Sequence, residues 1–300
     1  MKLMTIRYEE RELPALLVNE GQGVLTLEEA LGEKAPASVL KLIREGDESV
    51  CQRLLRLEVN HSHRVIPLEE VELMAPIPRP VRNVICLGLN YRDHAMEIKD
   101  SQGRPRPIPG VPVYFGKMAH EIAGPGETIA LHEGVTESID YEVELVAVIG
   151  KGGRNIPAEK AYEHIFGYTI MNDVTARDLQ KNHQQWIRGK SLDTFTIMGP
   201  VIVHRSLLPE PPELALSCAV NGEIRQSSNT SQFIFDLPHV ISDLSKGFTL
   251  LSGDLIATGT PSGVGMGFDP PRYLQPGDNV TCTIEGIGSL ANRVEEREES

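Results

Sequence analysis

The chain has 300 residues, 40% hydrophobic and 24% charged, the composition of an ordinary globular protein of one or two domains. Its 29 Lys and Arg against 42 Asp and Glu leave a net charge of −13, which argues against a nucleic acid or an acidic membrane surface as partner; a small anionic substrate needs a local cluster of cations. Four scattered cysteines (Cys51, Cys86, Cys218, Cys282) lack C-x-x-C spacing, and no apolar run or signal-type start is evident, so we expect a reduced, cytoplasmic protein outside the membrane.

In chain order, MKLMTIRY and ALLVNEG read as a strand pair, followed by one loosely amphipathic helix over SVLKLIREGDESVCQRLLR. Pro76, Pro78 and Pro80 make a stiff connector, taken as the junction between a small N-terminal α+β domain (1–75) and a larger one (76–294). Beyond it short strands dominate, expected at Asn83–Gly88, Val113–Phe115, Thr128–Leu131, Tyr141–Ile149, Gly167–Met171, Pro200–His204, Leu214–Val220, Leu255–Thr258 and Asn279–Ile284. Helical patterns are brief, at Ala158–His164, Thr175–Asn182 and Leu237–Lys246. This predicts a mixed α/β, sheet-rich fold rather than a βαβ nucleotide fold, closed by an acidic tail over 295–300.

Several chemistries have no motif. GKS at Gly189–Ser191 lacks the earlier glycine of a phosphate loop, and no G-x-G-x-x-G, G-x-S-x-G or H-E-x-x-H is present. His61 and His63 in HSH have no third ligand nearby and read as a solvated loop. The stretch SIDYEVELVAVIG is different. Glu142 and Glu144 are two apart on an otherwise apolar strand, hence on one face. At a separation of about 6 Å they repel by about 3 kcal/mol, and burial adds desolvation. One reading is an edge strand with a solvated face; the other is a divalent cation between the carboxylates. Asp173, after the apolar strand of FGYTIMND, offers a third oxygen ligand or a helix N-cap. Carboxylates without Cys or His point to a hard ion, Mg²⁺ or Mn²⁺.

YEVELVAVIGK, GYTIMNDVTARDLQ, GKSLDTF, NGEIRQ and GDLIATGTPSGVG, in that order, resemble the fumarylacetoacetate hydrolase superfamily, from about residue 78 to about 290. The small N-terminal unit and GVGMGFDPPRYLQPGD resemble a bacterial subgroup of acylpyruvate hydrolases and oxaloacetate decarboxylases. The resemblance implies a β-sandwich roll, a homodimer, and Mg²⁺ or Mn²⁺ on Glu142, Glu144 and Asp173. LNYRDHAMEI resembles the family's N-Y-x-x-H-x-x-E stretch, implying a His94–Glu97 pair that activates water from a short lid over Tyr91–Ile98. Three residues apart, the two share a helical face, and a carboxylate behind an imidazole suits a general base. Taken alone, His94 reads as a capping or surface histidine. Arg177, Gln180 and Lys190 match positions that contact substrate, Lys190 among the catalytic groups; Arg177 alone reads as a salt-bridge partner of Asp178 or of nearby Glu residues. Thr260, in a glycine-shaped turn, and Lys117 complete the implied pocket, although GKMAHEIAG lacks the proline that many relatives carry soon after that lysine.

The implied function is metal-dependent cleavage of a C–C bond in a small 2-oxo or 2,4-dioxo acid, as an acylpyruvate- or fumarylpyruvate-type hydrolase or an oxaloacetate decarboxylase. Two alternatives stand beside it. If only protons or water move, the protein is an isomerase or hydratase of 2-oxoenoate acids. If the pocket only binds, it is a non-catalytic 2-oxo acid-binding protein.

Overall fold

A computed structural model describes residues 1–60, 63–97 and 108–296 and arranges most of the strands in two sheets. The larger, of eleven strands, runs in order Ile66–Pro67, Gly23–Thr26, Arg11–Val18, Lys2–Tyr8, Thr196–His204, Ile165–Asp173, Val143–Ile149, Leu255–Ala257, Val84–Gly88 and Val113–Lys117, with Glu72–Met74 beside Lys2–Tyr8. Lys2 and Leu3 pair with Val203 and Ile202, so the N-terminal strands continue the sheet of the second part. The smaller sheet runs Glu223–Asn229, Ala215–Val220, Asn279–Ile284, Gly288–Glu296 and Thr128–Leu131. The expected sheet-rich, mixed α/β class is the observed one.

Val143–Ile149 is buried along its whole length because both of its faces are covered. Val143, Leu145, Ala147 and Ile149 share a core with Leu216, Cys218, Val280 and Cys282 of the smaller sheet. Val146 and Val148 share a second core with Leu42, Ile43 and Leu54 of the N-terminal helices. Glu144 continues that second face at the strand's start, and Glu142 precedes it.

The single helix expected over 38–56 is two, Val39–Glu45 and Glu48–Leu55. Gly46 ends the first, with an added Cβ placed only 2.3 Å from the Leu42 carbonyl oxygen. Asp47 starts the second by accepting a 2.9 Å hydrogen bond from the Val50 N–H. Of the strands that went unanticipated, the two longest lie in the smaller sheet. Glu223–Asn229 is polar but closes a hairpin over Asn221 and Gly222, both at positive φ. Gly288–Glu296 turns Leu290, Asn292 and Val294 inward, and the Asn292 amide donates to the Gly124 and Glu127 carbonyls. That strand carries Glu295 and Glu296, expected as tail; 297–300 lie outside the described residues, as does His61.

Gln226, fully buried, ties the sheets together beside the site. Its Oε1 accepts from the Val143 N–H at 3.0 Å, while Nε2 donates to Thr260 Oγ1 at 2.8 Å and the Pro261 carbonyl at 2.9 Å. Gln226→Ala removes three hydrogen bonds and strands buried partners, so denaturant unfolding is expected to show a loss of about 3 kcal/mol. A loss below about 0.5 kcal/mol, the scale of an ordinary surface substitution, overturns this role.

Candidate active site

Antiparallel pairing builds the acidic centre. Val143 lies opposite Asn172, and the Asp173 N–H donates to the Glu142 carbonyl at 2.8 Å, so Asp173 arrives beside the Glu142–Glu144 pair. One ligating oxygen from each of the three carboxylates lies within 4.8 Å of the other two, all of them buried. Among the described residues this is the only cluster of three or more metal-ligating side chains.

Three buried cations surround it. Lys190 Nζ donates to Glu142 Oε2 and Asp173 Oδ2, both at 2.7 Å. Its helix, Ile187–Lys190, approaches so closely that a Cβ on Gly189 would lie 2.5 Å from the Gln180 nitrogen, which explains the glycine of GKS. Lys117 donates to Asp173 and to the Val174 carbonyl. Arg177 donates from Nε to Asp140 at 2.8 Å, and its Nη2 forms an ion pair with Glu142 Oε1 at 2.7 Å.

The titration behaviour follows. Burial raises the Glu142 pKa, but Lys190 and Arg177 overcome that and bring it to about 2. Burial alone would lower Lys190; Asp173 and Glu142 together outweigh it, and its pKa rises. Burial, then Asp173 and Glu142, push Glu144 well above the carboxylate range. Glu144 has no ion pair among the described residues and accepts only the Gly259 N–H, at 2.9 Å. Four buried carboxylates, counting Asp140, thus face three buried cations, with the deficit at Glu144. A hard divalent cation fits that deficit, and with Glu144 ionised as its ligand the cluster would carry one net positive charge, which suits an anionic substrate.

A cavity of about 870 Å³ opens onto the centre. Of the expected residues, His94, Glu142, Glu144, Arg177, Gln180 and Lys190 line it. Thr260 lines it too, with its hydroxyl committed to the Val143 carbonyl and the Gln226 amide. Asp173, Lys117 and Glu97 stand behind the wall. His94 Nδ1 lies 3.1 Å from Glu97 Oε2 on the helix Arg92–Glu97. The other Glu97 oxygen accepts from the Gly263 N–H at 2.8 Å, and Ser262 Oγ donates to Asp93 at 2.8 Å. Ile98, the end of the expected lid, lies outside the described residues.

Sequence reasoning missed Asp140. Its buried carboxylate accepts from Arg177 Nε and from the backbone N–H groups of Tyr141, Gly265 and Met266, between 2.7 and 3.0 Å. Asp140, Glu142 and Glu144 alternate in DYEVE, and that spacing was the available signal. Asp93 and Ser262 carried none, since their contact spans 169 positions.

The family model for the fumarylacetoacetate (FAA) hydrolase C-terminal domain matches residues 83–295, and the chain belongs to that family. Among named relatives, oxaloacetate tautomerase YisK of Bacillus subtilis is 49% identical over 268 residues, 87% of this chain and 88% of that one. The mitochondrial oxaloacetate tautomerase FAHD2A of Bos taurus is 40% identical over 278 residues, 91% of this chain and 84% of its own. In solved structures, the fumarylacetoacetate hydrolase of Exiguobacterium antarcticum matches with a TM-score of 0.84 at 40% identity, covering 99% of this chain and 100% of that one. Maleylpyruvate hydrolase from Sphingobium sp. SYK-6, in complex with manganese(II) and pyruvate, matches with a TM-score of 0.76 at 27% identity over the same shares. No helix among the described residues is long and apolar enough to cross a membrane.

The unpaired carboxyl of Glu144 makes a prediction with a definite sign. In metal-free protein, Glu144→Gln is expected to leave the thermal midpoint unchanged or raised, because it replaces a carboxyl whose charged form burial, Asp173 and Glu142 disfavour. Mn²⁺ at 100 times its Kd is expected to stabilise the wild type by about 2.7 kcal/mol and the variant hardly at all. Equal Mn²⁺ stabilisation of both proteins overturns the ligand assignment.

Proposed function

We propose that the chain is a divalent-metal-dependent enzyme that interconverts the enol and keto forms of oxaloacetate or a close 2-oxo acid analogue. The supporting observation is a buried imidazole, His94, on the wall that also exposes Glu142 and Glu144, in a chain 49% identical to an oxaloacetate tautomerase. Glu142, Glu144 and Asp173 would hold Mg²⁺ or Mn²⁺, and the bound ion supplies Lewis-acid charge that favours the enolate form of a 2-oxo acid.

The protein's own groups handle the proton. Ketonisation breaks the O–H bond at C2 and forms a C–H bond at C3; the O–H pair becomes the carbonyl π bond and the C=C pair takes the proton. No electron is gained or lost. His94 carries the proton between these sites. Its Nδ1 is taken by Glu97, which orients the ring and leaves Nε2 for the substrate. The other imidazole of the wall, His183, is exposed and engages the Leu179 carbonyl at 2.8 Å. Arg177 and Lys190, fixed on their carboxylates, keep positive charge beside the substrate without being free to transfer protons.

The second reading is C–C cleavage, by hydrolysis or decarboxylation, favoured by the likeness to maleylpyruvate hydrolase. In that reading His94 activates water instead of carrying the substrate's proton. Fresh oxaloacetate enol separates the two. Tautomerisation removes the enol absorbance without releasing pyruvate, whereas decarboxylation releases pyruvate in proportion.

His94→Ala is expected to slow enol loss by about 10²- to 10⁴-fold while leaving Mn²⁺ affinity intact, with Glu97→Gln showing a smaller loss. A variant His94→Ala that retains the wild-type rate removes the imidazole from the mechanism.

A further inference from the structure

The buried cations of the site are already committed. Lys190 is held by Glu142 and Asp173, Lys117 by Asp173, and Arg177 by Asp140 and Glu142. None of them is released to receive a second carboxylate at the far end of a substrate. Lys181 is placed differently. It lines the same cavity, is exposed, and among the described residues has no ion pair or hydrogen bond. Asp178, the acid three residues before it, is occupied by Thr136 Oγ1 at 2.6 Å and the Leu179 N–H at 2.8 Å.

Helix geometry sets the distance. Lys181 follows Arg177 by four residues on the helix Arg177–Asn182, so the two share a face about one turn apart, with Cβ atoms about 5–6 Å apart. Arg177 marks the end of that face nearest Glu142, and Lys181 the outer end. The terminal carbons of a four-carbon diacid lie about 4 Å apart when extended, somewhat less than the roughly 5.4 Å of one helical turn, and the flexible four-carbon stem of a lysine covers the difference. We propose that Lys181 is a specificity-determining residue that receives the distal carboxylate of a dicarboxylic 2-oxo acid. This rests on the reading of the cavity as a 2-oxo acid site, and it selects dicarboxylates over monocarboxylates of equal length.

The test uses two unreactive ligands with the same metal-binding end. Malate and 2-hydroxybutyrate share a 1-carboxylate and a 2-hydroxyl, and differ in a 4-carboxylate against a methyl group. Calorimetry on the Mn²⁺-loaded protein is expected to show malate binding more tightly than 2-hydroxybutyrate. Lys181→Gln is expected to weaken malate about two- to fivefold, the scale of one exposed charge pair, with 2-hydroxybutyrate unchanged. Lys181→Arg is expected to restore malate binding. Unchanged malate affinity in Lys181→Gln, parallel loss of both ligands, or failure of malate to bind the wild type overturns the proposal. Enol loss is measured separately on the same proteins. A Lys181-dependent preference for malate without tautomerisation keeps the subsite and discards the reaction; tautomerisation without that preference does the reverse.

Discussion

Three buried carboxylates with oxygens within 4.8 Å of one another are the constraint to which the neighbouring structure answers. Left alone, such a group would protonate or force the strands apart. The fold instead supplies Lys190 and Arg177 to Glu142, and Lys190 and Lys117 to Asp173, so two carboxylates are neutralised by the chain itself. Glu144 receives a backbone N–H and nothing cationic. The division is asymmetric, and the asymmetry makes the centre a place for a cation instead of a finished salt-bridge network. A fourth buried cation at Glu144 would have closed the site to metal.

The same economy explains the glycine-rich stretch after residue 258. Gly259 stands at φ +93 and offers its N–H to Glu144; Gly263, at φ +97, offers its own to Glu97, and a Cβ there would lie 1.9 Å from the Arg225 carbonyl oxygen. At Gly267 a Cβ would lie 2.2 Å from Glu97 Oε1. The loop therefore touches a carboxylate of the candidate metal centre at one end and the partner of His94 at the other. Asp140 fastens it again through Gly265 and Met266 while holding Arg177. The imidazole and the acidic centre are consequently referenced to one backbone segment, which fixes their separation more firmly than two independent loops would.

What could be read in the sequence follows the range of the interactions involved. Glu142 and Glu144 were legible because two acids at strand spacing on an apolar strand conflict with burial, and Asp173 because it ends the next apolar run. The His94–Glu97 pair was legible because it lies within one helical turn. Contacts between distant positions carried no such signal: Gln226 to Val143, Ser262 to Asp93, and the pairing of Lys2 with Val203 that extends the N-terminal strands into the main sheet. Local punctuation was under-read in one place, where Gly46 and Asp47 divide a continuous amphipathic pattern into two helices.

Substrate identity is the part that motifs convey least, and the geometry gives the reason. In the proposed function the acidic centre serves the 1-carboxylate and 2-oxo end, which is common to oxaloacetate, acylpyruvates and 2-oxoenoates alike. Apart from the unpaired Glu144, the residues of that centre are buried, paired and costly to change, because removing one partner strands a charge in the core. On the same proposal the far end of a substrate would meet the helix Arg177–Asn182 and the residues after it, where Lys181, Gln184 and Trp186 line the cavity with less burial. Substitutions there cost the fold little, so specificity can change while the centre stays constant. An exposed lysine on a six-residue helix looks in sequence like any solubilising side chain. Its position one turn outward from Arg177, on the wall of a cavity whose other cations are neutralised, is what separates Lys181 from the rest of the surface.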